Sequence, residues 1–119
     1  MEEFEGPIKL LAENVPESFF VGLIGADGLP ISVYAKENLE KAEASAELAS
    51  VFTVIKKGIN ALEMGKVSEA FVLTDKFGII LSPVLEDYFL VIGMYMPANL
   101  GKARLEIRKI LPKIEEMMR

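Results

Sequence analysis

The side chains that could carry chemistry in this chain are few. Its 119 residues include no cysteine and no histidine. That removes a thiolate nucleophile, an imidazole base, a disulfide framework and any Cys/His metal site. Two carboxylate pairs stand out, Glu86/Asp87 and Glu115/Glu116. Catalytic carboxylates need a cleft that perturbs their proton affinity. The first pair falls in an expected turn and the second at an expected helix end, where charges are solvated. Gly22, Gly25 and Gly28 follow G-x-x-G-x-x-G. That is not the dinucleotide fingerprint G-x-G-x-x-G, and no Gly-Lys-Ser/Thr follows to make a phosphate loop. A hairpin explains these glycines better. The expectation is a protein that is not an enzyme, with no catalytic residue, no metal, no cofactor and no small-molecule substrate.

Binding is the remaining possibility, and it depends on the surfaces that the elements build. The longest regular stretch is a helix over Asn38–Leu62, with Asn38 as N-cap and Gly65 as a left-handed cap beyond Met64. Leu48, Phe52, Ile55, Ile59 and Leu62 recur at helical spacing and form a stripe expected to meet a sheet. Val51, Val54, Gly58 and Ala61 lie beside that stripe, and Ser50, Thr53, Lys56, Lys57 and Asn60 lie opposite. The apolar arc is wider than contact with one sheet requires.

In chain order, a first helix is expected over residues 2–15, regular from Pro7 to Asn14, with Phe4, Ile8, Leu11 and Val15 on one face. A strand Ser18–Gly25 leads through Asp27-Gly28, read as a type I′ hairpin turn, to a strand Ile31–Ala35. Pro30 places that second strand at an edge or a strand start. After the long helix come strands Ser68–Thr74, Phe77–Val84 and Tyr88–Met96. The last is apolar on both alternating sets and so should be covered on both faces. The closing helix runs Ala98–Met118 with a stripe of Leu100, Ala103, Ile107, Ile110, Ile114 and Met117, kinked or ended near Leu111 by Pro112. Met94, Met96, Met117 and Met118 read as gap-fillers in a core or dimer contact.

The fold class is α+β, one domain over residues 1–119: an α-β-β-α-β-β-β-α sandwich with a five-stranded antiparallel sheet. Two helices share one face and the long central helix takes the other. One helix, about 10 Å wide, cannot cover five strands about 4.8 Å apart. A hydrophobic fraction of 51% also implies apolar surface to hide. Both point to a homodimer with two long helices side by side.

The net charge of −5, with no basic cluster, argues against nucleic acid or an anionic membrane as the main partner. The apolar runs are too short to insert in a membrane. Met1-Glu2-Glu3 is acidic where a secretory leader is basic, so the expected location is the cytoplasm. Glutamine and tryptophan are absent along with cysteine, a scarcity of thermolabile residues that follows the trend in thermophiles.

With this element order, the segments VGLIGADGLPIS (Val21–Ser32), SAELASVFTVIKKG (Ser45–Gly58) and PANLGKARLEI (Pro97–Ile107) resemble the Roadblock/dynein light chain family. The resemblance implies a profilin-like sandwich and a homodimer or pseudo-dimer. It also implies edge-to-edge pairing of the third strands, here Ala70, Val72 and Thr74, with Val51, Val54, Gly58 and Ala61 meeting the twin helix. Bacterial and archaeal members, as in the Mgl system, are regulators of small Ras-like GTPases, some of them GTPase-activating; eukaryotic ones are dynein or scaffold subunits.

On that reading Ala46, Ser50, Thr53, Lys57 and Asn60 form the partner platform, since small and flexible side chains allow close approach. The long helix has no arginine, and lysine cannot replace the planar fork of Arg at a transferring phosphoryl group. The three arginines, Arg104, Arg108 and Arg119, all lie in the last helix. Arg104 reads as structural, for instance bonding the turn that starts its helix. The function expected is therefore a non-catalytic regulator or scaffold binding a small Ras-like GTPase without supplying an arginine finger. The alternatives are a scaffold subunit for motor or signalling proteins and a sensor of a small apolar ligand. The large residues of Tyr88–Met96 and the lack of polar anchors argue against the sensor.

Overall fold

The computed structural model describes residues 2–36 and 39–119. Among them, five strands form one antiparallel sheet, with three α-helices around it. The order is α1 (Glu5–Asn14), β1 (Ser18–Gly25), β2 (Pro30–Ala35), α2 (Lys41–Ala61), β3 (Ala70–Leu73), β4 (Phe77–Val84), β5 (Tyr88–Tyr95) and α3 (Leu100–Met117). A short 3-10 turn over Glu2–Phe4 precedes α1. The strands lie in the order β2-β1-β5-β4-β3. Strand β5, apolar on both sides, is therefore central, and Pro30 opens an edge strand.

Alternation sorts the sheet residues into two cores. Val21, Leu23, Ile80, Val84, Leu90, Ile92 and Met94 face α1 and α3, where they meet Ile8, Leu11, Ile107, Ile110 and Ile114. Phe20, Ile24, Leu81, Phe89 and Val91 face α2 and meet Ala49 and Phe52, the two rings of Phe52 and Phe89 standing 4.9 Å apart. The expected layering, two helices on one face and the long one on the other, holds.

Local details depart from the sequence reading for identifiable reasons. Asn38, expected as the cap of the long helix, lies outside the described residues. The helix starts at Lys41, capped by Glu40, whose carboxylate accepts from the Ala42 N–H at 3.2 Å. At its other end Glu63, with φ 54°, takes the capping position next to the helix, and Gly65, also at positive φ (96°), follows two residues later. The Met64 N–H donates to Ile59 O and the Glu63 N–H to Asn60 O, which is a Schellman closure.

The β1–β2 turn is not type I′: only Gly28 has positive φ, at 90°, while the Asp27 carboxylate accepts from the Leu29 N–H at 3.0 Å. That bond holds a longer loop than a two-residue turn. Strand β3 is shorter than expected, Ala70–Leu73; at its C-terminal end the Thr74 hydroxyl accepts from the N–H groups of Lys76 and Phe77 and turns the chain. Helix α3 does not end near Leu111 but continues through Pro112 to Met117. Pro112 is exposed, so the carbonyl it leaves unpaired can reach water, while buried Ile107, Ile110 and Ile114 hold both halves to one core.

Candidate functional site

Helix α2 sits on the sheet turned from the expected orientation. Its buried residues are Ser45, Ala49 and Phe52. Lys56, four residues beyond Phe52, continues that line. Its ammonium lies 5.5 Å from the centre of the Phe52 ring and donates to Glu86 O at 3.2 Å. Lys56, read as solvent-facing, thus belongs to the sheet side. Leu48 and Ile55 pack only partly against the core, and Leu62, expected at the sheet, is 69% exposed.

The cause of the rotation lies in side-chain size. Ser45 and Ala49 are small and let the helix approach β1 and β2, over which it lies. The β1–β2 turn presses against the same side: a Cβ on Gly28 would stand 3.3 Å from the Ala46 Cα.

This rotation leaves one flank of α2 facing the part of the sheet it does not cover. On that flank are half-buried Leu48 and Ile55 and Val51, 44% exposed. Across from them, on β3 and β4, stand half-buried Ala70 and Ile79 and Val72, 38% exposed. Cross-strand pairing of Ala70 with Leu81 and Val72 with Ile79 places these side chains on the α2 face. Between helix and sheet lies a depression of about 200 Å³ lined by Phe19, Phe20, Leu48, Ile79, Val91 and Gly93.

An aromatic cluster that the sequence reading missed borders this surface: Phe19 stands 5.4 Å from Phe77 and 4.7 Å from Tyr95. A bulge between Ser18 and Phe20 breaks the β1 alternation there, so period two could not have predicted it.

The expected interface residues divide accordingly. Val51, Gly58 and Ala61 are exposed along α2, and Val54, at 67% exposure, points away from the sheet. Val72 lies on edge strand β3, and Thr74 falls just past it with its hydroxyl engaged in its own turn. The expected platform residues lie on the opposite flank of α2. Ala46, Ser50, Lys57 and Asn60 are exposed and Thr53 is half-buried. Ala46, Ser50, Thr53 and Lys57 share a depression with Asp27 and Gly28. Lys57 and Asn60 also border a larger one, about 490 Å³, with Lys66, Glu86 and Asp87. The two turns are tied together, the Ala26 N–H donating to Asp87 O at 2.8 Å. The Asp27-Gly28 turn, read as only a turn, therefore forms one wall of the platform flank.

Of the carboxylates in the two acidic pairs, that of Glu115 has a structural partner. Glu115 accepts from the Leu85 N–H at 3.4 Å, and the carbonyl of Glu86 accepts from Lys56. Arg104 pairs with Glu69 and stands 5.3 Å over the Phe71 ring. It thus holds the segment entering β3 rather than the turn that starts its own helix. Arg108 and Arg119 are exposed, on or just beyond α3, across the sheet from α2. Among the described residues no group of three or more acidic side chains is placed to hold a metal, and no helix is long and apolar enough to cross a membrane.

No protein-family model and no curated protein matches the sequence. Solved structures do match the fold. MglB of Myxococcus xanthus superposes with a TM-score of 0.90 at 16% identity, over 98% of this chain and 94% of that one. A Roadblock/LC7 domain from Streptomyces avermitilis gives 0.86 at 17% identity, over 96% of each chain. Profilin II of Acanthamoeba castellanii gives 0.63 at 13% identity, over 98% and 97%. The fold is the Roadblock/LC7 sandwich, in the wider profilin-like architecture.

Proposed function

We propose, from a Roadblock/LC7 fold whose α2 flank and β3 edge are uncovered, that this protein is a non-catalytic homodimer acting in the cytoplasm, and that it regulates or scaffolds a small Ras-like GTPase. The observation that carries this reading is the continuous apolar surface of Leu48, Val51 and Ile55 on α2 with Ala70, Val72 and Ile79 on the sheet. A two-fold axis brings such a surface onto itself. In that arrangement β3 extends the sheet of its twin, and the two α2 helices lie side by side over both uncovered halves. Unpaired edge strands with exposed apolar side chains favour this kind of pairing.

The paired helices then present Ala46, Ser50, Thr53, Lys57 and Asn60 outward as the GTPase platform. The likeness to MglB and the family resemblance support a GTPase as the partner. The arginines support regulation without an arginine finger. Arg104 is engaged with Glu69, and Arg108 lies on the layer across the sheet from α2. An effect on hydrolysis would therefore act through the GTPase's own loops.

The test is capture of cell proteins on the immobilised dimer, followed by GTP turnover with the captured GTPase. Recovery of a Ras-like GTPase is expected. Ser50→Arg with Lys57→Glu should weaken its binding by about tenfold or more, while Arg108→Ala should leave turnover unchanged. Loss of stimulated hydrolysis in Arg108→Ala, with binding intact in the platform variant, overturns the reading. Capture of only motor or signalling proteins through the same residues would replace the GTPase with the scaffold alternative.

A further inference from the structure

The face of the sheet opposite α2 carries a second surface that the proposed dimer leaves free. Helices α1 and α3 border a groove of about 300 Å³. Leu11 and Ile110, both buried, form its floor, and Leu10, 50% exposed, stands on its α1 side. Its α3 side carries Lys102, Lys109 and Lys113. Glu106 is the one carboxylate in the lining, and it is already engaged by Asn14 Nδ2 and Lys109 Nζ, each at 3.3 Å. Neither Lys102 nor Lys113 has a carboxylate partner among the described residues.

Exposed Leu10 over the Leu11 and Ile110 floor, facing the unpaired Lys102 and Lys113, makes an apolar groove with one positive border. That border is local, because the whole chain carries a net charge of −5. Three lysines beside a carboxylate are too few for a nucleic-acid footprint. The acidic N-terminal segment of a second copy is a poor occupant, since its apolar side chain, Phe4, is already buried in its own core.

We propose that the α1/α3 groove docks an acidic amphipathic helix of a partner protein. Its apolar stripe seats on Leu10 and the Leu11/Ile110 floor, and its carboxylates meet Lys102 and Lys113. Helix-in-groove recognition uses apolar anchors at i, i+3/i+4 and i+7, with charge setting orientation and partner choice. The surface is independent of the α2 platform, so one dimer could hold a second protein while its α2 face is occupied.

The test pans the whole protein against a displayed library of amphipathic helices with leucine at the anchor positions and randomised flanking positions. Enriched sequences should carry Asp and Glu beside the leucines. The strongest, as a fluorescent peptide, should lose affinity by about tenfold or more in Lys102→Glu/Lys113→Glu and in Leu10→Glu, with binding weakening as salt rises. Backbone amide shifts should move at residues 10–14 and 102–113 and not along α2. An unchanged thermal midpoint in both variants separates lost docking from lost folding. Failure to recover a binder, recovery of neutral or basic helices, or equal binding by both variants overturns the proposal. So does a drop in native mass on Lys102→Glu, which would assign the groove to another copy of the chain.

Discussion

Glu63 shows how one side chain can sit where a glycine would do better. It holds φ 54° at the end of α2, the position that closes a Schellman motif. An L-residue there costs about 1–2 kcal/mol in steric strain. Glu63→Gly should therefore raise stability by roughly 0.5–1 kcal/mol in denaturant melts, the extra freedom of glycine in the unfolded chain offsetting part of the gain. The sequence offers Gly65 only two residues away; it too has positive φ, at 96°, but lies past the hydrogen bonds that close the helix. The choice of Glu63 follows from where the helix stops making hydrogen bonds, which depends on the path to β3. Arg104 teaches the same lesson. Its structural role was legible from its place in an Asn-Leu-Gly helix start, but its partner, Glu69, lies thirty-five positions earlier, beside the edge strand β3.

At the scale of elements, the orientation of α2 decides which residues can bind anything. Helical spacing identified the apolar arc, but an arc this wide can rest on a sheet at several rotations. Ser45 and Ala49 settle the rotation by letting α2 approach closely, and the β1–β2 turn buttresses it at Ala46. Gly28→Ala tests that contact. The new Cβ would stand 3.3 Å from backbone and φ is 90°, so a loss of about 1–3 kcal/mol is expected by thermal or denaturant unfolding. A variant of unchanged stability would mean that the turn does not fix the helix. The same rotation moved Lys56 to the sheet side and left Lys57 as the exposed lysine of the pair. Period and composition could not separate these neighbours, because the difference is set by contact with Phe52 and the β4–β5 turn.

For the molecule as a whole, the surface between α2 and β3 predicts assembly. Light scattering should give about twice the 13.1 kDa chain mass at micromolar concentration. Val51→Asp or Val72→Asp should shift the protein toward monomer, whereas Lys36→Asp should not. Fully burying a valine contributes about 1.5–3 kcal/mol, and an unpaired carboxylate in its place reverses the sign. A monomeric wild-type protein, or a dimer indifferent to both valine variants, would remove the basis of the paired-helix platform.

The sequence by itself determined the element order, the two-sided central strand and the apolar stripes of α1 and α3. Each of these rests on local periodicity and turn chemistry, which need no knowledge of distant residues. It also excluded thiol, imidazole and disulfide chemistry, because a missing residue type cannot be supplied by folding. Tertiary structure decided the rotation of α2, the partner of Arg104, the aromatic cluster at the β1 bulge and the lysine-bordered groove between α1 and α3. These depend on which small residues permit close approach and which charges find a partner on another element. Both are properties of residues far apart in the chain, and neither has a period to read.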